Sequence, residues 1–339
     1  MVLHFISQKE VLITTDYGKR VVVFPLSGYI NRLQAVASAS LLAEELGWEC
    51  VVVWQPQPVA AAPVTAVFGE DFCRSTVRPM DEVQGQLGFA FSEVPRYLNI
   101  HANEGLITLA GHDRGEQVFM SELRKALAEN PEFHTLVLVA GGHFGFTEDL
   151  SPERQEIALH HNRSIWYQSV ALHDDIEIAA RSAIQQNTPY LALHLRYTDR
   201  SHQVPSKKQI AQALTQIQEA TSTRSLFIAS DTPAARDEWV SRAQDLGFQP
   251  WFIEHQIWDR ADPRSSHPAL IDWRVLGHAE ALVYFNESSF AYEAAVASGN
   301  FERSIGLSPH KFSKVRASTH GLLLSAATYP RRHGWFGSR

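Results

Sequence analysis

The first residues that could do chemistry are a histidine and an arginine at the end of an apolar run. In 190-YLALHLRYTDR-200, His194 and Arg196 lie two positions apart, so both project from the same face of a predicted strand. Arginine presents a planar fork of donors that matches phosphate oxygens. The stretch therefore indicates an anion site. An ion pair between Arg196 and an acidic residue, with His194 in the core, fits the same pattern.

A second cluster is a pair of serines, Ser288 and Ser289, where the apolar run 282-LVYF-285 gives way to a helical pattern. The free N–H groups at a helix start, together with the helix dipole, favour a phosphate. Serine is also among the commonest helix caps, so the motif alone favours a structural role.

The third candidate is Asp272, in the helical stretch 268-PALIDWRVLGHAEAL-282. A carboxylate can accept two parallel hydrogen bonds from the N1–H and N2–H₂ edge of guanine, a pattern that adenine does not offer. Trp251, Phe252 or Phe290 could stack on the base. The structural alternatives are a solvated acidic residue on a helix and three aromatic residues in the core.

The fourth cluster is the turn 27-SGYINR-32, which follows the first apolar run. Gly28 would allow a ligand close to the backbone, Asn31 could cap the following helix and Arg32 could reach a cleft. A tight turn of this kind also forms without a ligand. The turn is not a G-x-G-x-x-G motif, and the chain has no G-x-S-x-G or P-loop motif, which disfavours a dinucleotide cofactor and a serine nucleophile.

Alternating strands and helices must position these clusters. Residues 20–54 and 190–299 alternate apolar, β-branched runs with helically spaced ones, which predicts parallel sheets. The breaker 187-NTP-189 separates the two regions. We therefore predict an α/β protein with two Rossmann-like, doubly wound domains, at 1–187 and 188–339. Such sheets bind ligands at the carboxyl ends of their strands, so the clusters should meet in the cleft between the domains.

Length and composition narrow the function classes. The 339 residues suit two domains, and a net charge of −7 argues against a nucleic-acid partner. Cys50 and Cys73 have neither metal-ligand nor disulfide spacing, and the 16 histidines are scattered, so no metal site is expected. We expect neither a signal peptide nor a membrane-spanning segment, and a cytoplasmic location.

Taken together, four segments resemble motifs of the fucosyltransferase superfamily, which includes core α1,6-fucosyltransferases, the bacterial nodulation fucosyltransferase and protein O-fucosyltransferases. These segments are 27-SGYINRLQA-35, 191-LALHLRYTDR-200, 227-FIASD-231 and 272-DWRVLGHAEALVYFNESSFAYEAA-295. The second has the form H-x-R-x-T-D-[KR]. The resemblance covers the second domain and the start of the first, whereas residues 55–150 match no motif of the family.

The resemblance implies a GT-B architecture, with two Rossmann-like domains facing across a cleft. It also implies an inverting, metal-independent transfer of fucose from GDP-fucose, without a cofactor, to a glycan or another hydroxyl acceptor. The C-terminal domain would bind the GDP-sugar and the N-terminal domain would lie on the acceptor side. By the resemblance, Arg196 and His194 would be catalytic: Arg196 would bind the β-phosphate and His194 would help to hold the donor. The other residues that would contact the donor are Gly28, Asn31, Arg32, Asp199, Asp231, Asp272, Ser288, Ser289 and Phe290.

The general base is where the sequence departs from the family. The core α1,6 branch has a glutamate shortly after its T-D-K segment, whereas this chain reads 201-SHQVPS-206, so His202 is the nearest candidate. Other functions stay open: transfer of a different nucleotide-linked sugar, or non-catalytic nucleotide or glycan binding. A phosphate-ester hydrolase is disfavoured because no nucleophile accompanies His194 and Arg196. The sequence leaves the acceptor and the oligomeric state open.

Overall fold

The computed structural model describes most of the chain between residues 18 and 312. The described residues are 18–87, 101–103, 106–111, 116–129, 131, 133–142, 144–147, 152–198, 204–256, 259, 261–286, 288–308 and 311–312. Within them, strands and helices alternate around two mainly parallel sheets, so the α/β class predicted from the sequence is confirmed.

The first half of the chain forms a five-stranded sheet with helices packed on it. The strands of this half are β1 (Arg20–Pro25), β2 (Glu49–Val52), β3 (His101–Asn103), β4 (Leu106–Gly111), β5 (Glu116–Phe119), β6 (Thr135–Ala140) and β7 (Phe144–Thr147). Its helices are α1 (Tyr29–Leu46), α2 (Glu70–Thr76), α3 (Met80–Leu87), α4 (Met120–Glu129), α5 (Pro152–Ser169) and α6 (Asp174–Asn187). The sheet order is β2-β1-β6-β4-β3, with only β3 antiparallel to its neighbour, and β5 pairs with β7 separately.

The second half forms a six-stranded sheet. Its strands are β8 (Leu191–Leu195), β9 (Ser225–Ser230), β10 (Gln249–Trp251), β11 (Leu282–Phe285), β12 (Ile305–Ser308) and β13 (Lys311–Phe312). Its helices are α7 (Lys207–Thr221), α8 (Pro233–Asp245), α9 (Ser266–Leu276) and α10 (Ser289–Ala297). The order is β10-β9-β8-β11-β12-β13, and all neighbours are parallel except β12 and β13.

A hydrophobic core continuous between the two sheets joins the halves of the chain. It connects Val23 and Leu33 of the first half with Ala192 and Trp273 of the second. Strand β8 shows how the sheet divides its side chains. Its leucines face a separate core on the far side of the sheet, whereas Ala192 lies on the side that faces the first half. His194 projects from the same side as Ala192, because side chains alternate along a strand.

Buried ion pairs hold α9 and α10 against helices of the first half. Arg163 of α5 donates two hydrogen bonds to the Glu293 carboxylate of α10, at 3.1 and 3.3 Å, and the Tyr167 hydroxyl donates a third at 2.8 Å. The Arg163 and Glu293 side chains are 2% and 0% exposed, so solvent screens this pair little. In the same way, Arg274 of α9 binds Glu177 of α6 at 2.6 Å.

These contacts mean that α5 and α6 pack on the helices of the second sheet, although they precede the breaker at 187–189. The division at 187/188 stays a prediction. In the part of the chain that the structure describes, no helix combines the length and the apolar character needed to cross a membrane.

The bidentate pair makes a stability prediction. Arg163→Leu should lower the free energy of unfolding by about 3–5 kcal/mol, because it leaves the Glu293 carboxylate buried without its cation. Urea unfolding measures the change. The matched control is Arg74→Ala, which removes an exposed pair with Glu70 and should change stability by less than about 1 kcal/mol. Equal losses of unfolding free energy in the two variants would contradict the stabilising role assigned to the buried Arg163–Glu293 pair.

Candidate functional site

A cleft of about 410 Å³ opens where carboxyl ends of strands from both sheets meet. Both halves of the chain line it, as the sequence predicted for clusters at strand ends. Its lining residues are Ser27, Gly28, Tyr29, Ile30, Asn31, Val59, His194, Arg196, Thr198, Ala229, Ser230, Asp231, His255, Ser265, Pro268, Ala269, Asp272, Ser289 and Phe290.

His194 and Arg196 reach the cleft from the end of β8. The His194 ring is buried and stacks on the Phe290 ring, with centroids 5.1 Å apart and planes inclined by 25°. Arg196 lies one residue beyond the strand, is partly exposed and lines the cleft. The strand pattern therefore placed both side chains correctly, and His194 also supports the first turn of α10.

Asp231, at the end of β9, organises the backbone that follows Arg196. Its carboxylate accepts hydrogen bonds from the Tyr197 N–H at 2.9 Å, the Thr198 N–H at 3.0 Å and the Thr198 hydroxyl at 2.6 Å. These bonds use much of the carboxylate's acceptor capacity. Asp231 lines the cleft as predicted, but its contacts make it a positioning residue for the segment that carries Arg196.

The turn between β1 and α1 brings the first half into the cleft. Ser27 has a φ of 72°, a left-handed conformation that is uncommon for a residue with a side chain. The Asn31 amide donates to the Ser27 hydroxyl at 3.0 Å and so fixes the turn. Gly28 is the N-cap of α1 and has no side chain with which to cap the helix. A Cβ placed on it would meet no atom within 4 Å. The helix N-terminus therefore faces open space.

Arg32 does not reach the cleft, contrary to the sequence-based expectation. It is fully buried and donates to the backbone oxygens of Ser27 at 2.9 Å and Gln55 at 2.7 Å. Its guanidinium lies over the Trp54 ring, 4.7 Å from the centroid. Burial lowers the pKa of Arg32 to about 10. The side chain turns inward because these acceptors and the indole face lie beneath the helix, so it supports the turn from behind.

Asp272 enters the cleft from α9 and is paired with a histidine that the sequence reading missed. Its Oδ1 accepts a hydrogen bond from His255 Nε2 at 2.8 Å. Burial raises the pKa of the Asp272 carboxyl above its usual value, and the bond from His255 opposes that shift. His255 follows the stretch 249–254 predicted as a strand, so the strand-end rule that singled out Arg196 could also have found it.

The start of α10 offers donors to the cleft. Ser288 is the N-cap, but its side chain makes no capping hydrogen bond, and its buried hydroxyl has no partner among the described residues. No acidic residue lies in the first turn. The capping role favoured by the motif alone is therefore not what the structure shows. Ser289 and Phe290 line the cleft directly.

The aromatic residues proposed to stack on a base separate into two groups. Trp251 packs in the core against Phe227, at 4.6 Å between centroids, and Phe252 lies beneath the Arg236 guanidinium at 4.2 Å. Neither lines the cleft, whereas Phe290 does. Asp199 and His202 lie outside the described residues.

Comparison with known proteins supports the fold. No family model and no curated protein match the chain. Among solved structures, it is similar to a mutant of Arabidopsis thaliana FUT1 in complex with GDP, with a TM-score of 0.57, 13% identity, and coverage of 85% of this chain and 70% of that one. It is also similar to the fucosyltransferase NodZ from Bradyrhizobium, with a TM-score of 0.51, 17% identity, and coverage of 88% and 98%.

These similarities show that the chain has an α/β fold built on parallel sheets. It shares that fold with solved fucosyltransferases, so the resemblance seen in the sequence motifs is confirmed at the level of the fold.

The contacts of Asp231 predict its role. Asp231→Ala should lower the free energy of unfolding by about 1–3 kcal/mol, because two backbone N–H groups lose their acceptor. For the same reason, amide hydrogen exchange at Tyr197 and Thr198 should become faster. Exchange measured by mass spectrometry tests this. Asp245→Ala, at an exposed position of α8, is the control. Unchanged exchange at 197–198 would show that the carboxylate does not hold the segment.

Proposed function

We propose that the protein is an inverting, metal-independent glycosyltransferase that moves fucose from GDP-fucose to a hydroxyl group of a glycan or another acceptor. The observation that carries the proposal is the convergence of Arg196, the start of α10 and the Asp272 carboxylate on one cleft. Each of these three groups suits a different part of a GDP-sugar. Two solved structures that share the fold are an Arabidopsis thaliana FUT1 mutant in complex with GDP and the α1,6-fucosyltransferase NodZ co-crystallised with GDP.

The diphosphate would lie between Arg196 and the N-terminus of α10. The helix presents its N-terminus and the positive end of its dipole, and Ser289 lies in its first turn. The start of α1 also faces the cleft without an acidic residue in its first turn. Two helix N-termini and a guanidinium give the cleft a strong preference for an anion.

Guanine would be read by Asp272. The buried carboxylate can accept from N1–H and the 2-amino group together, because each of its oxygens has two lone pairs and the bond from His255 uses one of those on Oδ1. The hydrogen bond from His255 fixes the orientation of the carboxylate before a ligand arrives. Its two parallel acceptors distinguish guanine from adenine by hydrogen bonding rather than by shape.

The chemistry follows from the charge that develops on the leaving group. When the acceptor oxygen attacks the fucosyl carbon, the bond to phosphate breaks and its electron pair goes to the GDP oxygen. A guanidinium and helix N–H groups fixed in advance stabilise that charge without reorganising. Attack from the face opposite the departing diphosphate inverts the anomeric configuration. We assign the removal of the acceptor's proton to His202.

The two halves would divide the substrates as in a GT-B enzyme. In this arrangement residues 188–339 bind the GDP-sugar and residues 1–187 lie on the acceptor side of the cleft. Support comes from the lining itself: the second half contributes Arg196, Asp272 and the start of α10, whereas the first half contributes the start of α1 and Val59. These features select the nucleotide more than the sugar, so another GDP-sugar is the alternative donor.

The leaving-group role predicts a kinetic effect. Arg196→Ala should lower kcat by about 10²–10³-fold, because removing one preorganised donor typically has that effect, and should leave the melting temperature nearly unchanged. Steady-state transfer of labelled fucose measures the rate. Arg224→Ala, at an exposed position, is the matched control and should retain full activity. Turnover of Arg196→Ala within a few-fold of the unmodified protein would refute the role.

The guanine assignment predicts a ligand preference. At equal concentrations GDP should raise the melting temperature more than UDP, ADP or dTDP, because a ligand that binds the folded state more tightly stabilises it more. Asp272→Asn should remove most of the preference for GDP over the other nucleotides, which is worth about 1–3 kcal/mol of binding free energy. The reason is that the asparagine amide presents a donor to the 2-amino group of guanine. Asp245→Asn is the control. Equal stabilisation by all four nucleotides would contradict guanine recognition, and incubation with labelled GDP-sugars would identify the donor.

A further inference from the structure

A cluster of metal-ligating side chains lies where the first turn of α6 meets the first turn of α9. His173 is the N-cap of α6, Asp175 follows in its first turn, and His267 is the second residue of α9. One potential ligand atom from each lies within 4.8 Å of the other two. His173 and Asp175 are two positions apart, but His267 is distant from both in the sequence, so the sequence alone did not reveal the cluster.

The geometry of the cluster suits a small cation. The rings of His173 and His267 have centroids 5.0 Å apart, and His173 Nδ1 lies 3.8 Å from Asp175 Oδ2. Ligand atoms about 2.0–2.2 Å from a tetrahedral zinc ion lie about 3.3–3.6 Å apart, so a small inward shift would complete the site. His173 Nδ1 accepts the Asp175 N–H at 3.3 Å, which leaves its lone pair engaged only by a long hydrogen bond that an ion could replace.

The local charge also favours a cation. The positive ends of two helix dipoles oppose it, but Asp174, Asp175 and Glu177 all lie in the first turn of α6. Arg274 neutralises Glu177, so Asp174 and Asp175 remain to balance a divalent ion. The His173 backbone is anchored through its N–H to the Val67 oxygen at 3.0 Å, so one ligand is held in place before the ion binds.

We propose that His173, Asp175 and His267 bind a zinc ion, with water as the fourth ligand. Two imidazoles and one carboxylate are a donor set that zinc accepts and that magnesium and calcium disfavour. The ion links the first turn of α6 to the first turn of α9. It lies next to the cleft, because Pro268 and Ala269 directly follow His267 and line it. Binding of the ion does not depend on the proposed transferase activity.

Untagged, chelator-treated protein tests the proposal without any sugar donor. Zinc titrated by calorimetry should bind at one equivalent and raise the melting temperature, whereas magnesium should do neither. Cobalt should give the visible absorption of a tetrahedral site. His267→Ala and Asp175→Asn should each weaken zinc binding by at least about tenfold, the loss that even outer-sphere substitutions cause. His161→Ala removes an exposed histidine outside the cluster and should bind as the unmodified protein does.

Two outcomes would overturn the site. One is zinc binding that survives His267→Ala and Asp175→Asn unchanged, which would place the ion on other histidines. The other is the absence of stoichiometric binding in the unmodified protein. His173→Ala also removes the N-cap of α6, so His267→Ala, which leaves that cap intact, keeps the test decisive if His173→Ala fails to fold.

Discussion

The constraint on which the site depends is that parallel strands deliver their carboxyl ends to one edge of a sheet. Strands β1, β8 and β9 each end at the cleft, and α1 and α10 begin there. A connection from strand to helix therefore places a helix N-terminus beside the last side chain of a strand. This geometry explains how residues far apart in the sequence, such as Gly28 and Ser289, provide donors to the same space. The preference of the cleft for an anion therefore follows in part from the topology, which places helix N-termini there.

The helices that bring these groups to the cleft are held from behind by buried charge. Glu293 lies on the body of α10 and binds Arg163, while Arg274 lies on α9 and binds Glu177. Burying such pairs costs desolvation energy, so an apolar contact could give equal or greater stability. These pairs contribute orientation, because a bidentate pair fixes the rotation of a helix about its axis and its distance from the helix on which it packs. The α10 N-terminus and Asp272 depend on that alignment.

Sequence periodicity predicted the elements around the cleft because each has one clear pattern. Strands β1 and β8 are continuous apolar runs, and α1 is followed by Gly47, which adopts the left-handed conformation that ends a helix. The same reading did not predict that Arg32 turns inward. That direction depends on backbone acceptors at 27 and 55, which periodicity does not encode. The pairing of His255 with Asp272 was missed for a similar reason, since it depends on tertiary contact.

The H-x-R segment acts through its supports as much as through its own charge. His194 stacks on Phe290 and so ties the end of β8 to the first turn of α10. Asp231 binds the two N–H groups that follow Arg196 and so fixes the backbone on the other side of the arginine. In the proposed transfer, an arginine held from both sides would already be oriented when charge develops on the leaving group, so little energy would be lost to reorganisation. A flexible cation with the same charge would have to reorganise during the reaction. The proposed role of Arg196 therefore depends on neighbouring residues that bear no positive charge themselves.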